Sequence, residues 1–318
     1  MKRSVATGFV AAILTSISIS IAQAQPPGGQ GPGGFGRGRG FGAQIPTGPA
    51  ASVPPEVAIP RPTAEEVAKI NEELKKLVDA DNSSVKPLLE KYNSLLQISV
   101  PRPNVAATYT QSNVRGPRHD AFVERAKQGD IDILFEGDSI TDWWSQNGAQ
   151  GGAEVLQKYF GDKKLANFAV AGDTTQGVLW GLQNGEGQGF KPKAIMLMIG
   201  TNNTGGNTGP EIAEGVGAVV AELRKDFPEA KILLLAIFPR GAGPNDGSRQ
   251  KNDEANKIIP KLADNKHVFF MDLGPKFLDE KGVLKPGLFR GDNLHPAAPG
   301  YEVWGEAVKD KLDEFLKS

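Results

Sequence analysis

Five short runs of mostly apolar, often β-branched residues (131–136, 165–170, 194–199, 232–237 and 267–271) recur along the chain, separated by stretches of helical periodicity. This alternation constrains the fold more than any other feature. Continuous apolar runs of this length read as strands buried on both faces, and strands alternating with helices imply a parallel sheet covered on two sides. The clearest intervening helix starts at Pro210, suited to the first helical position, and carries Ile212, Val216, Val219, Val220 and Leu223 along one stripe. The last helix, over 301–316, turns Val303, Trp304, Val308, Leu312 and Phe315 inward.

Chemistry concentrates where these strands end. The first runs into Gly137-Asp138-Ser139, the second into Ala171-Gly172-Asp173-Thr174-Thr175 and the third into Gly200-Thr201-Asn202-Asn203; beyond the fifth comes Gly291-Asp292-Asn293-Leu294-His295-Pro296. In an open α/β sheet these ends share one edge, the edge at which ligands bind. Gly-Asp-Ser alone is a common turn tripeptide. A serine at that edge, with its N–H at a helix start, becomes a nucleophile if it has a base, a group to orient the base, and donors for an oxyanion. His295 is the histidine placed past a strand end on this edge, and Asp292, three residues earlier, can accept its ring N–H. The N–H groups of Ser139 and Gly172 and the side-chain amide of Asn202 would hold the oxyanion. Taken singly, each has a bland reading: a turn glycine, a loop asparagine, an aspartate satisfying backbone N–H groups.

Together these blocks resemble the SGNH (GDSL) hydrolase superfamily, whose four signature residues would fall on Ser139, Gly172, Asn202 and His295. Within it the chain is most similar to the catalytic subunits of type I platelet-activating-factor acetylhydrolase and their bacterial relatives. That closer resemblance rests on Gly129-Asp130-Ile131-Asp132, Gly172-Asp173-Thr174-Thr175-Gln176 with Val178-Leu179-Trp180, Gly200-Thr201-Asn202-Asn203 and Phe238-Pro239-Arg240-Gly241. The resemblance implies a three-layer α/β/α, flavodoxin-like fold, strand order 2-1-3-4-5, working without metal or organic cofactor. Asn203 stands where many superfamily members have Asp, as in the acetylhydrolase-like branch.

The remaining polar and aromatic residues near the site have bland readings too. Asp138 and Asp173 are expected to brace loops, Trp143, Trp144 and Trp180 to fill core, His119 to pack or cap, and His267 to open a buried strand. Arg240 could hold an anionic substrate group or pair with a carboxylate. Three scattered His and no Cys leave little for a metal site and exclude thiolate chemistry and disulfides. A formal charge of −1 gives no reason to expect nucleic acid as a partner.

The hydrolase-like region is expected over 118–318, preceded by three further segments. Residues 1–24 carry Lys2 and Arg3, an apolar run and Ala22-Gln23-Ala24, the three parts of a secretory signal peptide, so a secreted or periplasmic location without stable membrane insertion after cleavage is expected. The Gly- and Pro-rich stretch 25–62 reads as a flexible tether. Residues 63–117 read as a helical hairpin and connector: Thr63-Ala64-Glu65-Glu66 is a capping box, followed by two apolar stripes, Val67 to Val78 and Val85 to Leu96. Those stripes should dock on the following domain; the alternative is pairing with a second copy, giving a homodimer.

The expected activity is therefore a serine esterase acting through an acyl-enzyme on short, chiefly acetyl, esters, with O-acetylated carbohydrate as the substrate favoured by export. A lysophospholipase or thioesterase would use the same catalytic residues. A glycan-binding protein that kept the fold and lost turnover, or a scaffold built on the arm and hairpin, are the readings from other classes.

Overall fold

The computed structural model describes residues 46–317; the expected signal peptide and the expected tether up to residue 45 lie outside them. Five parallel strands, β1 (Ile133–Gly137), β2 (Leu165–Asn167), β3 (Ala194–Met198), β4 (Lys231–Leu235) and β5 (Val268–Met271), form one sheet in the order β2-β1-β3-β4-β5. Register is set by pairs such as Ile133 with Leu165 on one side and with Ala194 on the other. Successive side chains point to opposite faces. Leu134, Ile195, Leu197, Ile232 and Leu234 therefore pack against Val178, Val216, Val219 and Leu223 of the helices Thr175–Gly181 and Gly209–Asp226. Ile133, Phe135, Met196, Met198, Leu233 and Leu235 face Trp304, Val308, Leu312 and Phe315 of the helix Ala298–Leu316. Burial on both faces explains why the strands read as unbroken apolar runs, and the three-layer architecture is the expected one.

Glycine is required where β1 turns. A Cβ on Gly137 would lie 2.4 Å from the Met198 carbonyl oxygen and 2.6 Å from Thr141 Oγ1, so no other residue fits between β1 and β3. The chain order reverses between these two strands, the topological switch point of the sheet.

A buried ion cluster ties this edge together. Arg115, fully buried just before the helix Gly116–Lys127, donates from Nε to Asp173 (2.6 Å), from Nη2 to Glu136 (2.7 Å) and to the Phe168 carbonyl (3.2 Å), and from Nη1 to Glu186. His119 Nδ1 is 2.7 Å from the other Glu186 oxygen. Burial pushes the Glu136 carboxyl up to about 8, with the charges of Glu186 and Asp173 adding to the rise and Arg115 opposing it, which favours the protonated form at neutral pH, while its Oε2 has no partner among the described residues.

The N-terminal expectations need correcting. Residues 46–62 are not a free tether: Ala51 N–H donates to Ala107 O (2.9 Å), Val57 is buried, and Arg61 grips Glu214 with two 2.7 Å bonds while Ile59 N–H donates to the same carboxylate. Proline lowers the entropy lost when such a strap docks, and Val57 and Arg61 supply anchors that average composition conceals. Docking continues through Asn104, whose amide reaches Glu214, and buried Ala106 and Ala107, so the packed domain begins well before residue 118. The hairpin is half realised. Thr63 and Glu66 form the expected capping box on the helix Ala64–Ala80, but the second stripe breaks at Tyr92 into Lys86–Lys91 and Asn93–Leu96. Its docking is absent among the described residues: within the three helices only Val67 is buried, while Leu77, Leu88, Tyr92 and Leu95 face solvent.

Arg115→Met should cost about 3–5 kcal/mol by stranding buried carboxylates. Glu136→Gln should cost far less at pH 7, since an amide resembles the protonated acid already present. Wild-type stability should decline as pH rises from about 4.5 towards 8, because the native state keeps a proton that the unfolded chain releases, and Glu136→Gln should flatten that decline. Urea unfolding across this range measures all three.

Candidate active site

Ser139 sits at the first position of the short helix Ser139–Asp142 that follows β1, with Asp138 as N-cap accepting from Ile140 N–H (3.0 Å). Its Oγ is 2.8 Å from His295 Nε2. On the far side of the ring, His295 Nδ1 is 2.7 Å from Asp292 Oδ2, and the other Asp292 oxygen accepts the backbone N–H groups of Leu294 (2.9 Å) and His295 (3.0 Å). The Asp292–His295 turn thus fixes the carboxylate, which fixes the ring so that Nδ1 is the donor and Nε2 faces the serine as acceptor. The three residues stand in the geometry that lets a hydroxyl lose its proton as it attacks.

Electrostatics favour that direction of transfer. Burial, joined by the charges of Arg290 and Arg240, holds the His295 pKa below its ordinary value against the opposing pull of Asp292, which favours the neutral imidazole. Burial opposes ionisation of Asp292, but the backbone donors and the imidazole outweigh it and keep the carboxylate below its usual range. Asp138 is the reverse case: burial, reinforced by Asp173, pushes it up to about 7 against the Ile140 N–H.

The expected oxyanion donors are two open backbone N–H groups and an amide tied to the turn of one of them. Gly172 adopts φ +85°, a left-handed conformation, and neither its N–H nor that of Ser139 makes a hydrogen bond among the described residues. Asn202 Nδ2 donates one hydrogen to the Asp173 carbonyl (2.8 Å), which draws its amide to the Gly172 turn and leaves a second hydrogen for a ligand. Beside Asn202 opens a cavity of about 310 Å³ lined by Arg102, Pro103, Val105, Thr174, Gln176, Asn203, Asn207 and Glu211.

The bland readings mostly describe the neighbours. Asp173 braces its turn through Thr174 N–H (2.8 Å) and Arg115, and Trp144 is core. His119 and Trp180 pack together, ring centroids 4.6 Å apart. Trp143 differs from expectation: half-buried, it lies 3.9 Å from the His295 ring, with the Arg290 guanidinium 3.9 Å above its own. Among the described residues Arg240 pairs with no carboxylate. Arg115 and Glu136 carry no sequence signal as a pair, since 21 positions separate them. Among the described residues no group of three or more His, Cys, Asp or Glu could hold a metal ion, and no helix is long and apolar enough to cross a membrane.

Comparisons with known proteins give the family. Subunit alpha2 of platelet-activating factor acetylhydrolase IB from Rattus norvegicus is 37% identical over 205 residues, 63% of this chain and 84% of the relative. Subunit alpha1 from Bos taurus is 32% identical over 199 residues, 62% and 82% of the two chains. A solved structure from Streptococcus pneumonia, described as a platelet activating factor, matches in fold with a TM-score of 0.51 at 24% identity, covering 72% of this chain and all of that one. Residues 135–303 match the GDSL-like lipase/acylhydrolase family. The chain therefore belongs to that family, within the SGNH hydrolase superfamily, and is a carboxylic ester hydrolase.

Proposed function

We propose that this hydrolase removes short acyl groups, acetyl above all, from carbohydrate esters outside the cytoplasm, through an acyl-enzyme on Ser139. The observation carrying the substrate class is the cavity beside Asn202. The side-chain amides of Gln176, Asn202, Asn203 and Asn207, the Thr174 hydroxyl and the charged Arg102 and Glu211 line it beside Pro103 and Val105, which gives a hydroxylated ligand hydrogen-bonding groups next to the oxyanion donor. The relatives are named acetylhydrolases, which favours acetyl as the group transferred. Export rests on the leader-like residues 1–24.

In this reading Ser139 Oγ attacks the ester carbonyl while His295 Nε2 takes its proton, and Asp292 stabilises the imidazolium. The Ser139 and Gly172 N–H groups and the free Asn202 amide hydrogen receive the oxyanion. His295 then protonates the leaving alcohol, and water, activated by the same base, releases the acid.

The first test is hydrolysis of a nitrophenyl ester series, acetyl to octanoyl, by the wild type beside Ser139→Ala. Turnover peaking at acetyl and lost in the variant is expected; a peak at octanoyl would replace the carbohydrate reading with a lipid one. Asn202→Ala should lower kcat by about 10²–10³-fold, and a tenfold or smaller loss in a folded protein would remove Asn202 from the oxyanion site.

Because the base must be neutral, kcat/KM should fall as pH drops through the His295 pKa. Since that pKa lies below the ordinary imidazole value of about 6.5, the acid limb of a nitrophenyl acetate profile should have its midpoint below 6.5. A midpoint at 7 or above would contradict this electrostatic account.

A further inference from the structure

The flank of the site beside His295 carries two arginines that form no ion pair among the described residues. Arg240 follows β4 in a loop joined to the His295 loop by Gly241 N–H donating to Asn293 O (2.8 Å). The side chain is half-buried and anchored at one end only: Nη1 donates to Thr201 Oγ1 (3.1 Å) and to the Thr201 carbonyl (3.3 Å). Nε and Nη2 make no hydrogen bond to any described residue, and Arg240 forms no ion pair. Nearby, Arg290 is likewise free of ion pairs; it lies over Trp143 and gives one N–H to Gln146 (3.0 Å).

The acids within reach form no ion pair with either arginine among the described residues; Asp246, against Gly241, accepts the Arg249 N–H (2.9 Å). Asp292 is committed to His295 and two backbone N–H groups, and Asp138 is buried under Ile140 N–H. A guanidinium held by one nitrogen, with its other donors open, is arranged for planar recognition of an anionic oxygen pair.

Position says which part of the substrate it would meet. His295 must protonate the leaving oxygen, so the alcohol half of the ester lies on the His295 side. Resting on the esterase reading, we infer that Arg240 recognises an anionic group, carboxylate or phosphate, on the alcohol portion of the substrate. Arg290 adds to the attractive field. For a carbohydrate ester the group is the carboxylate of an acidic sugar; for a glycerol ester it is a phosphate.

The test compares matched acetyl esters: methyl galactoside against methyl galacturonoside acetylated at the same ring position, and acetylated glycerol against acetylated glycerol phosphate. The wild type should favour an anionic member by about tenfold or more in kcat/KM, the scale of a charge-assisted pair. The pair showing the preference identifies carboxylate or phosphate. Arg240→Gln should abolish the preference, chiefly by raising KM for the anionic ester, and added salt should erode it in the wild type.

Equal kcat/KM within both pairs would overturn the inference while leaving the esterase intact. So would an Arg240→Gln variant that slows neutral and anionic esters alike, because Arg240 would then only hold the Thr201 loop. Should that variant fail to fold, the wild type still decides: galacturonate or inorganic phosphate should inhibit nitrophenyl acetate hydrolysis competitively, and galactose should not, whereas absence of inhibition by either anion overturns the inference. A folded wild type inert towards nitrophenyl acetate would refute the esterase reading instead, and calorimetric titration with galacturonate and phosphate would then test the anion site by itself.

Discussion

A guanidinium with no access to water sets the terms for the catalytic edge. Arg115 reaches Glu136 at the end of the strand that delivers Ser139, Asp173 in the turn that presents Gly172, and Glu186 beyond the helix that follows. Desolvating such a group costs several kcal/mol, so the cluster is a poor way to gain stability compared with apolar packing. What it supplies is position. Asp173 is gripped at its carboxylate by Arg115 and at its carbonyl by Asn202, and one residue thus couples two oxyanion donors to the buried cation. Burial favours a neutral acid at Glu136, whose Oε2 has no partner among the described residues, and the charges of Glu186 and Asp173 push the same way against Arg115.

The parts legible in sequence are those governed by local or periodic signals. Strand runs were readable because both sheet faces are buried. The positions of Ser139, Gly172, Asn202 and His295 were readable because each follows a strand at the same edge, and topology then brings them together. Arg115 escaped for the opposite reason: its meaning depends on three carboxylates that lie 21, 58 and 71 positions further along the chain, none marked by spacing. The strap 46–62 escaped because composition averages over anchors. Pro-rich sequence looks unstructured until Arg61 meets Glu214, and that partner lies 153 residues away.

Docking of the strap changes what the N-terminal extension contributes. Arg102, Pro103 and Val105 line the cavity beside Asn202, and Val114 lies 3.5 Å from where a Cβ on Gly172 would sit. The extension therefore furnishes one wall of the cleft, next to the oxyanion donors, while the hairpin between its two docked portions leaves its apolar stripes in solvent. A segment that reads as an appendage by composition is divided by packing into a wall and an exposed arm.

Charge near the base has two opposing uses. Burial chiefly, and then Arg290 and Arg240, lower the proton affinity of His295, which favours the neutral imidazole that can accept a proton; Asp292 works the other way, supporting the imidazolium once the proton has moved. A base kept weak is available at lower pH but pulls less hard on the serine proton. An anion docked on Arg240 resolves the conflict, because it cancels part of the positive field after substrate binds. The proton affinity of His295 then rises in the complex, where attack occurs, and stays low in the free enzyme, where protonation would only idle the base. Recognition of charge on the alcohol and activation of the nucleophile would then be two consequences of one ion pair.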